Sequence, residues 1–520
     1  MEHDPLMARP ERARAGRAPR LPPEQARKVV LGLVVAIFLA AIDQTIVAVA
    51  LLAIGRDLLG FTLMPWVVAG YLVASTVATP IYGKLSDIHG RRRMMMVAIG
   101  IHLCGSALAT VAQTMPQLIA FRLLQGVGAG GLLALAQAAI ADIAPGHERG
   151  RYQAYISGTF AVAALLGPVV GGVLTHYLSW RAIFVLYLPL GLAALVFVRR
   201  VLSYEVVVRR AHVIDYPGAA LLAGALASVM IALTRVGQGV PVTAESSLGL
   251  FAASVALFAA FVVQERRTPE PLIPPALFEH PVVAIACMTL GLQFFVLIGS
   301  AVLIPLAMQS VGRADLQQVA LRMLPMTLTI PFGAYIAGRY MFRTALYRES
   351  VFVGAVIAIG GSATLAWGAT EPVAVTAIAM CALGIGLGMT MPPNLVAAQT
   401  AVPQSMVGVV TSTTALCRTL GGAIGIAVLT SVLFTQLHGA VPAGAAGTAV
   451  GAAAGAAGAA VGAAGAAAGS SSTPILSALL DAPAEPLRAA FRIVFAMTAL
   501  CSVGALLLAT RLPRDLLRKP

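Results

Sequence analysis

The sequence predicts an all-α integral membrane protein of about fourteen helices. Three observations carry that expectation. Of the 520 residues, 59% are hydrophobic and only 11% are charged, where an ordinary soluble domain carries about 25% charge. Mean hydropathy is +0.88. The apolar residues fall in long unbroken runs rather than alternating with polar ones, which argues against a β-barrel. At roughly 20 to 22 residues per membrane helix, these residues fill about fourteen spans. A soluble enzyme of this size would need more polar surface than the chain supplies.

Taken in order, the chain opens with a tail, residues 1–28, that is rich in Arg and Pro and has no apolar core. The first apolar run is long, and no small-residue cleavage site closes it, so the tail is not read as a cleavable signal. Apolar runs then occupy 29–52, 66–86, 94–114, 116–139, 152–175, 180–200, 215–234, 248–264, 281–308, 318–338, 350–369, 372–390, 406–435 and 488–510. Lys and Arg orient them, because cytoplasmic segments are enriched in both. If every run spans, 26 of the 35 cations fall on one side. They lie in the tail, in the 83–93 turn, at Arg149 and Arg151, around the seventh run, at Arg266 and Arg267, at Arg339, Arg343 and Arg348, and in the last residues, 511–520. The other side holds Arg56, Arg181, Arg235, Arg313 and Arg488. Both termini are therefore expected in the cytoplasm. The net charge of +14 is a topology signal, and nucleic acid is not expected as a partner.

Residues 439–472 are almost all Gly, Ala, Val and Ser. Such small side chains favour insertion only weakly, and a fifteenth span would move the basic C-terminus outside. A flexible outer loop before the last span is the expectation. All five cysteines fall in apolar runs without C-x-x-C spacing, so they are read as packing residues rather than disulfides or metal ligands.

Few polar residues lie inside the runs, and these are the candidates for function. Asp43 is the only carboxylate well inside a span. A charge there costs at least ~2.5–3.5 kcal/mol on insertion scales, and a carboxylate so placed can exchange a proton as its access alternates. Arg122, in the fourth run, keeps its proton, so it is expected either to tune a carboxylate or polar network or to serve a structural role. Gln44, Thr45, Gln125, Gln293, Asn394, Gln399 and Arg418 are the remaining cavity candidates, each weak alone, because Thr and Ser often bond back to their own helix. His102 is read as a packing residue, and Asp142 and Asp215 as caps at span ends. No G-x-x-x-x-G-K-[ST] loop is present, so direct drive by ATP is not expected, and neither is any cofactor.

Four segments carry a motif. The turn after the second run reads Gly83-Lys84-Leu85-Ser86-Asp87-Ile88-His89-Gly90-Arg91-Arg92-Arg93, an acid among cations between two glycines, suited to a latch that can be made and broken. Phe121-Arg122-Leu123-Leu124-Gln125-Gly126-Val127-Gly128 lies in the fourth run, and Gly167-Pro168-Val169-Val170-Gly171-Gly172 in the fifth. The latter combines a bend with small residues that let helices approach. Asp43-Gln44-Thr45-Ile46-Val47-Ala48-Val49-Ala50-Leu51 lies in the first. Together these resemble the major facilitator superfamily, and within it the fourteen-span drug:proton antiporters; Trp66, Tyr71 and the stretch Cys417-Arg418-Thr419-Leu420-Gly421-Gly422 fit the same group. The resemblance covers about residues 29–510. Ala48 stands where the family often has Asn, Leu52 where it often has Pro, and Tyr187 at an Asn position.

The resemblance implies two six-helix bundles, 29–200 and 281–510, joined by a linker, 201–280, with two extra helices. It implies a proton-coupled efflux transporter in a bacterial inner membrane, working as a monomer on hydrophobic or amphipathic compounds. Asp43 and Arg122 would couple protons and pair with each other, which sequence spacing alone does not fix. Gly83, Asp87, Gly90, Arg91 and Arg92 would form a cytoplasmic gate, and Gly167, Pro168, Gly171 and Gly172 an antiporter hinge. The alternatives are an exporter of a dedicated metabolite, lipid or siderophore, and a non-transporting membrane scaffold or sensor.

Overall fold

The structure is a computed structural model that describes residues 23–59, 63–143, 146–201, 215–237, 244–269, 271–312, 314, 316–344, 346–367, 372–403, 406–436 and 484–513. Its described residues form helices and no strands. In chain order these are α1 (Pro23–Asp57), α2 (Met64–His89), α3 (Arg91–Thr110), α4 (Met115–Ile143), α5 (Gly146–Tyr177), α6 (Arg181–Val201), α7 (Tyr216–Gly237), α8 (Glu245–Arg267), a short α9 (Ala276–Glu279), α10 (Pro281–Ser310), α11 (Leu316–Thr344), α12 (Arg348–Trp367), α13 (Val373–Thr400), α14 (Val407–Gln436) and α15 (Ala484–Thr510). Each predicted apolar run coincides with one long helix. By length and composition, ten are apolar enough to cross a membrane among the described residues. The 439–472 segment and most of both tails lie outside the described residues.

Two apolar cores organise the packing. One is built from α1–α6 and centres on Leu33, Ile37, Ile46, Met95, Leu132 and Phe184. The other is built from α10–α15 and centres on Leu303, Met323, Met326, Leu383, Phe491 and Phe495. The α1–α6 half meets the α10–α15 half along two seams, α2 against α14 and α5 against α11. Helices α7 and α8 pair with each other and pack on α2. Their residues Leu222, Leu226 and Phe261 share a small core with Val77 of α2 and with Leu416 and Leu420 of α14. Asp215 begins this insert as the sequence implies: its carboxylate accepts from the Gly218 N–H at 2.9 Å.

Close helix approach explains where the glycines fall. A Cβ on Gly126 or Gly130 of α4 would lie 2.3 and 2.2 Å from the Tyr71 and Ser75 carbonyls of α2. On the opposite face, Gly128 meets the His102 backbone of α3 at 2.4 Å. Backbones this close gain dispersion contact where lipid offers no hydrophobic drive for helix association.

Candidate functional site

The close α2–α4 and α3–α4 contacts set Arg122 and Gln125 into the middle of the first half. Arg122 Nη1 donates to Asp43 Oδ1 of α1 at 2.7 Å, and both side chains are buried, at 1% and 0% exposure. The same nitrogen donates to Gln125 Oε1 at 2.6 Å, and Nε donates to the Val67 carbonyl at 3.1 Å. The guanidinium lies 4.1 Å from the centroid of the Tyr71 ring. Gln125 in turn donates to Ser106 Oγ at 2.9 Å, and Ser106 donates to the His102 carbonyl at 2.8 Å. His102 stacks obliquely on Tyr187 with ring centroids 5.9 Å apart. His102 is fully buried, as the packing reading expects, and its ring nitrogens lie 3.4 and 3.5 Å from Gln125 O and Nε2.

The pair is asymmetric. Asp43 Oδ1 is held by Arg122, whereas Oδ2 is buried without a hydrogen-bond partner. The Tyr71 and Tyr187 hydroxyls interact electrostatically with Asp43 but meet no hydrogen-bond geometry. A carboxylate with one oxygen engaged and one unengaged can take a proton without first surrendering its cation. Once neutral, it holds that cation less tightly, because an ion pair becomes a hydrogen bond from a charged donor to a neutral acceptor. Breaking such a pair by removing one member outright would instead leave a buried charge, at a cost of about 3–5 kcal/mol.

The α5 glycines support the pair from behind. Thr45 donates to the Ile42 and Ala163 carbonyls at 3.0 and 3.1 Å, bridging α1 to α5. A Cβ on Gly167 would lie 1.8 Å from Thr45 Oγ1, and one on Gly171 would lie 2.8 Å from the Ile46 side chain. Gly172 differs: a Cβ there meets nothing within 4 Å, so it takes no part in this close face. The Pro168 side chain lies outside the described residues, and α5 runs as one helix past it.

The 83–93 segment is helical rather than a loop, which corrects the sequence expectation. α2 continues to His89, and α3 begins at Arg91, with Gly90 alone between them at φ 87°. That left-handed conformation favours glycine. Arg91 pairs with Asp87 and donates from Nε to Asp142 Oδ2 at 2.9 Å. Asp142 is therefore an ion-pair partner and not only a cap. Arg92 turns away and donates to the Arg199 carbonyl at 2.9 Å. Across the seam, Asp87 lies against the start of α14: a Cβ on Gly408 would lie 2.6 Å from Asp87 Oδ1. A Cβ on Gly83 would lie 2.4 Å from Ser412 Oγ of the same helix. The two halves are thus clasped at this end.

At the opposite end, Asp57 Oδ2 accepts from Trp180 Nε1 at 2.9 Å and from Arg181 Nη1 at 2.6 Å, and Arg181 also donates to the Ala112 carbonyl at 2.9 Å. The Arg181 and Trp180 hydrogen bonds hold the Asp57 carboxyl below the ordinary carboxylate range.

The remaining candidates scatter. Gln399 donates to Thr411 at 2.9 Å and Asn394 to the Thr390 carbonyl at 2.9 Å, tying α13 to α14 and to itself. The 411–414 hydroxyls all bond back to their own helix. Both polar ends of Gln293 and the Oε1 of Gln44 are buried without a partner. Arg418 stacks on Phe294 at 4.4 Å. Sequence reasoning missed Ser106 and gave Tyr187 only as a departure from family pattern, although both border the pair.

Comparison with known proteins places this geometry in context. The family model described as Major Facilitator Superfamily matches residues 33–426. The chain is 32% identical over 425 residues to Multidrug resistance protein 3 of Bacillus subtilis (strain 168), covering 81% of this chain and 83% of that protein. It is 29% identical over 408 residues to Multidrug transporter protein MdtP of the same organism, covering 78% and 75%. Among solved structures, the proton:xylose symporter XylE bound to 6-bromo-6-deoxy-D-glucose superposes with a TM-score of 0.56 at 15% identity, covering 84% of this chain and 94% of that one. At that identity the likeness shows the fold alone.

Proposed function

The chain belongs to the Major Facilitator Superfamily, and within it we propose a proton-coupled efflux transporter, a fourteen-span drug/proton antiporter for hydrophobic or amphipathic compounds. The observation that carries this reading is the buried Asp43–Arg122 pair with its unengaged carboxylate oxygen. The names of the bacterial relatives, both multidrug proteins, support the efflux direction.

Asp43 is the proton carrier. Ionised, it is neutralised by Arg122 and the first half is held closed around the pair. Protonated at Oδ2, it loosens Arg122, which shifts toward Gln125 Oε1 and the Val67 carbonyl already within reach. Substrate and proton compete for the site because each favours a different state of the pair. The Asp87–Arg91–Asp142 clasp and the Gly83–Ser412 contact close the end assigned to the cytoplasm, and opening requires α2 to part from α14. The basic asymmetry of the sequence supports cytoplasmic termini, and the Bacillus relatives support placement in a bacterial inner membrane. No nucleotide enters the cycle, and a monomer suffices for it.

Growth of a pump-deficient bacterial host across chemically unrelated toxic compounds, with and without a protonophore, tests the reading. The expected result is resistance to several amphipathic compounds that the protonophore abolishes. Resistance to none of them, or resistance indifferent to the protonophore, would overturn it. Competition confined to one metabolite would replace the multidrug assignment with a dedicated exporter.

A further inference from the structure

We propose that Arg418 is an anion-recognition residue of the transport site, so that the exported compounds include amphipathic molecules bearing a carboxylate or sulfonate. The proposal rests on the efflux reading and narrows its substrate class.

The faces of α14 locate Arg418. Leu416 and Leu420 pack into the insert cluster. A Cβ on Gly421 or Gly425 would strike the Gly291 or Phe295 backbone of α10, and Ser412 abuts Gly83 of α2. At about 3.6 residues per turn, Arg418 stands on the arc between the α10 face and the α2 face. That arc lies opposite the insert face of α14, a helix that also meets α4 of the first half.

Its electrostatic state is unlike that of Arg122. The Arg418 guanidinium has the Phe294 ring at 4.4 Å as its counterpart, its Nε is buried without a hydrogen-bond partner, and the side chain remains partly exposed. No carboxylate pairs with it among the described residues; Asp43, the one acid deep in a span, is already held by Arg122. A guanidinium cannot shed its proton, and an aromatic face supplies only part of a counter-charge. Its planar fork of donors fits a carboxylate or sulfonate. A cationic compound meets repulsion there, and a neutral one leaves the charge uncompensated.

Equilibrium binding to the purified full-length protein tests this with phenylbutyrate, phenylbutanol and phenylbutylamine, which share one apolar body. Wild-type protein is expected to bind the acid most tightly. Arg418→Gln should weaken the acid about ten- to a hundredfold, the worth of a hydrogen bond to a charged group, and leave the alcohol unchanged. Equal losses for acid and alcohol, as a packing role would give, overturn the proposal, as does a wild type that prefers the amine or binds no acid. Should the Gln variant not fold, Arg418→Lys carries the same comparison: a loss confined to the acid supports the fork, and no loss or an equal loss overturns it. Acid-selective binding without outward flux in proteoliposomes keeps the Arg418 assignment and sinks the efflux reading, so the two fail separately.

Discussion

Replacing Asp43 by Asn removes a charge and a titratable proton while keeping the shape of the side chain. The structure sets the stability cost. Arg122 loses one charge-assisted bond of 2.7 Å but keeps Gln125 Oε1, the Val67 carbonyl and the Tyr71 face. The Asn amide still accepts from the charged guanidinium, so what is lost is the counter-charge; the cost stays below the ~3–5 kcal/mol of removing a buried partner outright, and the variant should fold. The transport cost is far larger. One net charge moved across 100 mV supplies about 2.3 kcal/mol, which is roughly a 50-fold gradient. The amide of the Asp43→Asn variant carries no proton, so accumulation against a gradient should fall to unity while substrate binding and exchange of labelled for unlabelled substrate persist. Proteoliposomes with an imposed proton gradient, a lumenal pH dye and a counterflow arm read these quantities together. Proton flux in the Asp43→Asn protein still driven by substrate at the wild-type ratio would refute the role given to Asp43.

Other perturbations follow from the same geometry. Gly167→Val should destabilise by at least about 1–3 kcal/mol, because even its Cβ would overlap Thr45 Oγ1, whereas Gly172→Ala should be neutral or slightly stabilising; thermal midpoints in detergent compare them. Gly83→Ala should press on Ser412 and part α2 from α14, increasing labelling of cysteines placed at that end, and Ser412→Gly should restore the closed pattern. Asp57→Asn should lower the thermal midpoint at neutral pH and lose its effect in acid. The sign follows from a depressed folded-state pKa: the stabilisation is present above the unfolded value and disappears as pH falls through the folded one. A midpoint difference that grows on acidification would contradict that linkage.

Much of this architecture is legible in the sequence because the bilayer imposes coarse rules. Long apolar runs mark each long helix, and Asp43 and Arg122 stand out because charge is so scarce within them. What periodicity does not contain is which helix faces which. The Asp43–Arg122 pair, the Thr45–Ala163 bridge and the Arg91–Asp142 pair join residues 79, 118 and 51 positions apart, and such distances close only in three dimensions. The 83–93 segment reads as a loop for a local reason. Its charges suggest solvent, yet helix propensity carries through Lys84 to His89 and again from Arg91, and one glycine makes the whole turn. Tyr187 stands out in the sequence only as an oddity, since a phenol within an apolar run gives no sign of the carboxylate it will face.

The insert gives the molecule a lopsided mechanics. Lys84 of α2 donates to the Pro271 carbonyl at 3.3 Å, just beyond α8, and Glu265 of α8 accepts from the Leu272 and Ile273 N–H groups at 3.3 and 2.9 Å. With Leu222, Leu226 and Phe261 wedged beside Val77, Leu416 and Leu420, the α2–α14 seam is stitched by a third party. No described residue of α7 or α8 joins the equivalent core contacts along α5 and α11. The insert therefore loads one seam only: a change at α2–α14 has to be accommodated by α7 and α8 as well, and one at α5–α11 does not. The two extra helices thereby brace one of the two seams and leave the other without them among the described residues.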